Sequence, residues 1–436
     1  MKATNPMRID NQLDLFEVKS KVKTSTSTTF ADNMKLPIHR WFRYSAGFSA
    51  EWVKNVIKEH SKSGSMILDP FAGSGTTLVA ANELNVPSVG YEKHHFVRRI
   101  ANTKLHYNIN HSYLNKLYNE ILLRVSSASD KFDFEIQPEL LKKCYSPQTL
   151  KTLISMKNNF LKITDNSLES EIIWLAITTI LRSTSTAGTA QWQYVLPNKK
   201  KKNVLNPIDA FRQKLNDILF DIDLFNSKNI NSLANILNHD ARDALADRDD
   251  SFDMLITSPP YPNNYDYADS TRLEMVFWGE ISGWSDLQTK VRNGLIRSCS
   301  QHSAADRLEL KNILNQSILA PIQDELTSVC NELEKVRHEH GGKKTYHTMI
   351  AAYYYDLAQV FVSLRRIMRD DSTICFVIGD SAPYGVYAPA DLWLGKLAVA
   401  AGFKSWTFEK TRDRNIKWKN RKHTIPLKEG RLWIRG

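Results

Sequence analysis

The segment from Met66 to Glu92 constrains the chain most. Met66-Ile67-Leu68 is a short apolar run. It ends in Asp69-Pro70-Phe71-Ala72-Gly73-Ser74-Gly75-Thr76-Thr77, and Leu78 to Leu84 follows with helical composition. A second short run, Pro87 to Tyr91, ends at Glu92. This reads as strand, glycine turn, helix, strand, and two strands joined through a helix must be parallel with a right-handed crossover. Gly73 and Gly75 let the backbone approach a ligand closely and aim free helix N–H groups at it. A bare glycine pair also occurs in purely structural turns. No Lys-Ser/Thr follows, so this is not a nucleotide-phosphate loop, and the third glycine of the dinucleotide fingerprint is missing. Glu92, at the tip of the next strand, can accept hydrogen bonds from both hydroxyls of a ribose. Turn and acid together point to a nucleoside-containing cofactor.

A second feature lies 183 residues beyond Gly75. Phe252 to Thr257 is an apolar run that predicts a buried strand, and it ends in Ser258-Pro259-Pro260-Tyr261. Two prolines remove two N–H donors and fix φ at both positions. Their carbonyls and the Ser258 oxygens remain as acceptors, beside the flat face of Tyr261. Such an array suits an exocyclic amine, whose two hydrogens go to the acceptors while the lone pair turns outward. A Pro-Pro loop with a packing tyrosine is the plainer alternative.

Elsewhere the periodicity predicts helices over 49–60 (capped by Ser49), 113–125, 150–163, 168–181, 210–222 and 353–368. Strands are expected at 373–378, 406–408 and 431–434. Residues 1–33, rich in Ser, Thr and Lys, read as a flexible tail. The resulting plan has a catalytic domain in two parts, 34–110 and 236–436. A helical insertion at 111–235 separates them, and a helical excursion at 281–345 lies within the second part.

Composition excludes several classes. Hydrophobic residues at 42% and charged residues at 24% are ordinary globular usage. No apolar run reaches the roughly 18 residues of a membrane helix, and no secretory signal is evident. The four cysteines are scattered, which fits a reducing, cytoplasmic setting and no cysteine metal cluster. The net charge is +11, and residues 404–436 carry eleven Lys/Arg against three acids, a local +8. That excess suggests a polyanionic partner, most often nucleic acid.

The pair Asp-Pro-Phe-Ala-Gly-Ser-Gly-Thr-Thr and Thr-Ser-Pro-Pro-Tyr closely resembles the DNA amino-methyltransferases, which methylate cytosine N4 or adenine N6 with S-adenosylmethionine. His39-Arg40-Trp41-Phe42 and Gly47-Phe48-Ser49 resemble the family segment that packs over the methionine end of the cofactor. Asp240 resembles the acid that contacts the cofactor adenine. The resemblance covers about half the chain, at 34–110, 236–280 and 346–436. It implies an α/β fold, a Rossmann-like seven-stranded, mostly parallel sheet with helical insertions. It places the cofactor on Phe48, Asp69, Phe71, Gly73, Gly75, Thr76, Glu92 and Asp240. It places the target base on Ser258, Pro259, Pro260 and Tyr261.

The implied chemistry is direct transfer to the amine of a base flipped out of double-stranded DNA, with no metal and no covalent intermediate. No Pro-Cys nucleophile of the carbon-5 cytosine enzymes is present. Serine at the head of the tetrapeptide favours cytosine N4 over adenine N6. An RNA base-amine methyltransferase and an inactive DNA-binding relative are the rivals. The expected setting is a restriction-modification system, with a cognate restriction endonuclease as functional partner. For target recognition, the basic, aromatic stretch Arg182 to Lys202 is the first choice and 281–345 the second. Tyr265, Tyr267 and Arg272 are candidates for the base pocket. His39 is expected to be a structural partner.

Overall fold

A computed structural model describes residues 30–127, 132–190, 193–243, 249–263, 265–305, 308–341, 344–414 and 426–436. The chain enters through α1 (Ala50–His60), whose first turn is capped by the Ser49 hydroxyl accepting from Trp52 N. The expected unit follows as β1 (Ile67–Asp69), α2 (Thr76–Glu83) and β2 (Ser88–Tyr91), then α3 (His95–Lys104). The insertion comprises α4 (His111–Ser127), α5 (Glu139–Cys144), α6 (Pro147–Ile163) and α7 (Leu168–Ile180). It also holds a hairpin, β3 (Ala187–Thr189) and β4 (Val195–Lys200), and closes with α8 (Pro207–Ser227). The chain returns to the sheet with β5 (Ala234–Leu237) and β6 (Phe252–Thr257). Short helices α9 (Arg272–Trp278), α10 (Trp284–Lys290), α11 (Ser300–Ala305) and α12 (Leu310–Leu314) lead to α13 (Gln323–Val336). The last elements are α14 (Tyr346–Ile367), β7 (Met368–Gly379), α15 (Ala390–Ala400), β8 (Ser405–Arg414) and β9 (Leu427–Arg435).

Seven strands form one sheet in the order β5-β2-β1-β6-β7-β9-β8. The first five are parallel, and β9 runs antiparallel to both β7 and β8. The alternation of side chains along each strand explains the layering. Ile67, Met254, Ile256, Cys375 and Val377 face α1 and α2, packing with Val53, Ile57 and Ala80. Leu68, Leu255, Ile374, Phe376 and Ile378 face the other way, onto Leu357, Leu364, Leu394 and Leu397 of α14 and α15. Strands covered on both faces read as apolar runs, which is why they are visible in the sequence. The chain winds outward from β1 to β2 and β5, then from β6 to β7. The β1/β6 boundary is therefore the switch point, where open parallel sheets bind ligands.

Several details differ from expectation. Residues 1–29 of the tail lie outside the described residues, but Phe30–Lys35 forms a 3-10 helix with Phe30 and Asn33 buried. Asn33 donates to Phe48 O at 2.8 Å and accepts from Ala50 N at 2.9 Å, so it belongs to the fold. The insertion carries the β3–β4 hairpin, which the Thr/Ser/Gly-rich stretch and the lysines concealed, and β5 begins two residues inside it. Its core is continuous with that of α2 and α3, joining Leu78, Val79, Phe96 and Ile100 to Leu114, Ile173 and Phe211.

Candidate active site

The tip of β1 is organised by Asp69. One of its carboxylate oxygens accepts from Phe71 N at 3.1 Å and from the Thr257 hydroxyl at 2.6 Å. Burial pushes this carboxyl up to about 6, against those hydrogen bonds. Asp69 is fully buried and shapes the turn from behind. Gly73 (φ 51°) and Gly75 (φ 84°) adopt left-handed backbone. A Cβ on Gly73 would stand 3.0 Å from the Tyr44 ring. Gly75 caps α2, where a Cβ would meet that of Ala101 at 3.3 Å. Beneath the loop, fully buried Lys104 donates to Ser74 O at 2.8 Å.

Glu92 joins the turn to the tip of β2. Its two oxygens accept from Gly73 N and His94 N, each at 2.8 Å. Desolvation raises its carboxyl to about 7, although both backbone bonds oppose the shift. His94 is driven down to about 3 by burial and stays neutral, with its Nε2 3.0 Å from the Thr271 hydroxyl.

At the tip of β6 the Ser258 hydroxyl donates to Val377 O at 3.3 Å. Tyr261 N donates to the Tyr267 hydroxyl at 3.1 Å. The Tyr261 ring lies against Gly379, with the Arg414 guanidinium 5.3 Å from its centroid. Burial holds its phenol well above the usual range. Both strand tips open on one cleft, with about 940 Å³ of empty space counting its mouth. Of the residues named from sequence, Phe48, Phe71, Gly73, Thr76, Glu92, Asp240, Ser258 and Pro260 line it. Asp69, Gly75, Pro259 and Tyr261 are not in its wall.

Comparison with known proteins adds an independent line. A family model described as DNA methylase matches residues 5–103. The Type II methyltransferase M.BsoBI of Geobacillus stearothermophilus is 27% identical, over 86% of this chain and 80% of its own. M.AvaI of Nostoc is 26% identical over 92% and 90%. M.HindIII of Haemophilus influenzae is 45% identical, but over only 15% and 21%. No solved structure matches. The chain is similar to DNA methylases over residues 5–103 and to Type II methyltransferases over most of its length. Its class is that of S-adenosylmethionine-dependent DNA methyltransferases with Type II restriction-modification relatives.

Within this methyltransferase several expected placements change. Of the segment expected over the cofactor, only the Gly47-Phe48 half lines the cleft. Arg40 and Trp41 instead bond Asp221 of α8, which also accepts from Ile38 N. His39 is buried 3.3 Å from Glu83, a structural contact. Arg182 is engaged within the protein. Its guanidinium is taken up by Glu274, Ser270 O and Gln193 O. Trp192 lies outside the described residues. Lys201 donates to Arg182 O, while Lys199, Lys200 and Lys202 are exposed on the hairpin side. Tyr194 accepts from Asp266 N at 2.7 Å and packs on Tyr265. Tyr265 is buried, whereas Tyr267 lines the cleft. Arg272 pairs with Asp269 and covers Trp284.

The methyltransferase cleft also has a wall that sequence reasoning missed. Arg292, Ile296, Ser298, Cys299 and His302 close it from the 281–345 excursion. Arg292 is paired with buried Asp266, just beyond the catalytic motif. No motif marked this irregular segment.

Proposed function

We propose that this chain methylates the N4 amine of cytosine at a specific site in double-stranded DNA, as the modification half of a restriction-modification pair. The observation that carries the reading is the shared cleft. The acceptor-rich tip of β6 and the glycine turn of β1 open on it side by side, at the switch point of the sheet.

The residues of the cleft fit S-adenosylmethionine. Gly73 leaves space that a Cβ would fill, and the buried Ser74 hydroxyl in the wall has no partner among the described residues. Glu92 has lone pairs left for the ribose hydroxyls, Asp240 for the adenine amine. Phe48 and Phe71 supply apolar walls, and Asp69, Gly75 and Thr76 shape the turn. When bound, the cofactor supplies an electrophilic methyl group on a sulfonium. Ser258 and the carbonyls of Pro259 and Pro260 accept the two amine hydrogens of the flipped base, and Tyr261 stacks on its ring. That hydrogen bonding holds the nitrogen lone pair toward the cleft. The nitrogen would receive that methyl group from the bound cofactor, whose S–CH3 bond breaks to leave a neutral thioether, while the amine gives up one proton. The walls exclude water, which would compete as nucleophile.

Serine at the head of the tetrapeptide favours cytosine. The exposed lysines of the β3–β4 hairpin support a phosphate-contacting role beside the site. Methylation of duplex DNA with labelled cofactor, followed by nucleoside analysis, tests the reading. N4-methylcytosine is expected. N6-methyladenine would overturn the base, and label in transfer RNA but not in DNA would overturn the substrate. Modified-base sequencing of host DNA with and without the protein would give the site.

A further inference from the structure

We propose that Asp356 is a positioning residue for the cofactor, acting through Arg242 on Asp240. The inference rests on the cofactor reading above and extends it to a residue outside the cleft.

Asp356 lies in the middle of α14 and is fully buried, among Tyr353, Leu357 and Val360. A carboxylate in such a place must be fully paired to be tolerated. Its oxygens accept from Arg297 N at 3.0 Å, from Arg297 Nε at 3.0 and 3.1 Å, and from an Arg242 guanidinium nitrogen at 3.3 Å. Arg242 uses the rest of its guanidinium on Asp240, with Nε to Oδ1 at 2.9 Å and the second terminal nitrogen to Oδ2 at 2.7 Å. Two parallel charge-assisted bonds fix the plane of the acceptor as well as its charge. Burial alone would raise the Asp240 carboxyl, but Arg242 holds it below its ordinary value, so it remains an acceptor.

The same carboxylate reaches a second part of the cleft wall. Arg297 stands between Ile296 and Ser298, both of which line the cleft, and its main chain is tied directly to Asp356. One buried acid thus sets the Asp240 acceptor and pins the 296–298 segment of the same cleft. An ion cluster serving stability alone would have no reason to end on a residue of the cleft wall.

Calorimetric titration of the full chain with S-adenosylmethionine tests this, using Arg242→Gln and Asp356→Asn. Arg242→Gln cuts the arm to Asp240 and leaves the Asp356–Arg297 pair intact. It should weaken cofactor binding about tenfold, the scale of one missing charge-assisted hydrogen bond. The cofactor KM should rise in step. At saturating cofactor, kcat should stay within about twofold and DNA affinity should not change, the signature of weakened binding with the chemistry preserved. Asp356→Asn should weaken binding at least as much. If Asp356→Asn fails to fold, Arg242→Gln decides alone. A folded Arg242→Gln chain with unchanged cofactor affinity overturns the relay while leaving the cofactor reading standing. Failure of the unaltered chain to bind the cofactor at all overturns both.

Discussion

The Thr257 hydroxyl donates to Asp69 across 2.6 Å, so the strand that precedes the amine-binding tetrapeptide is bonded to the root of the glycine turn. These two residues, 188 apart in sequence, hold the two motifs in register through one buried bond, reinforced where Thr77 donates to Ile256 O. Thr257→Val keeps the shape and removes the donor. Losing a hydrogen bond to a buried carboxylate should cost about 1.5–3 kcal/mol. Thermal denaturation should show that loss, together with a higher cofactor KM. An unchanged melting temperature would mean that Asp69 is held by its other partners alone.

Glu92 gives the cleft a pH dependence. Its carboxyl is raised to about 7, so it becomes neutral as pH falls through that value, and a neutral acid accepts more weakly from two ribose hydroxyls than a carboxylate does. Cofactor affinity should therefore decline as pH drops below about 7, approaching tenfold per unit well below it. Neighbouring His94, already neutral, should not contribute there. Binding near pH 6.5 should release a proton, measurable by calorimetry in buffers of different ionisation enthalpy. Glu92→Gln should bind weakly with a flat profile. A flat profile in the unaltered chain would remove Glu92 from ribose contact.

Tyr261→Ala should separate binding from transfer. Because the ring lies outside the cleft wall, cofactor affinity should hold within about twofold, while kcat falls about a hundredfold or more for want of an oriented base. Near-normal turnover in single-cycle assays would count against stacking.

Gly75→Val strains a left-handed residue and presses a side chain toward Ala101, already touched by a bare Cβ. The α2 cap and the loop above it should shift together, and calorimetry should find no cofactor binding in a chain that still folds by circular dichroism.

Replacing Lys199, Lys200 and Lys202 together by alanine should weaken DNA binding and reduce its salt slope by up to about 0.9 for each phosphate no longer neutralised. Lys201 is omitted because it is tied to Arg182 O. An unchanged slope from filter binding across a salt series would place the phosphate-binding surface elsewhere.

The sheet was legible because β1, β2, β6 and β7 are covered on both faces and so carry dense apolar runs ended by turn residues. The Gly73 turn and the Ser258 tetrapeptide were legible because proline and glycine have few conformational uses. Less could be read where tertiary context decides. Arg182 looks like a phosphate ligand until Glu274 is brought beside it from 92 residues away. Asp380 caps α15 by accepting from Ala390 N, a role that strand-end position alone does not reveal. The Arg292–His302 wall is a loop between two short helical turns, whose placement depends on Asp266 and Asp356, neither of them adjacent in sequence.

The grip of Asp221 on Ile38, Arg40 and Trp41 has a practical corollary for anyone seeking to retarget this protein. A transplant confined to residues 111–235 would leave those three groups reaching for an absent carboxylate, and would slacken the stretch that carries Tyr44 and Phe48 into the cleft. The smallest exchangeable cassette therefore includes residues 38–48, and a hybrid built without them should lose affinity for the methyl donor before it shows any new choice of DNA.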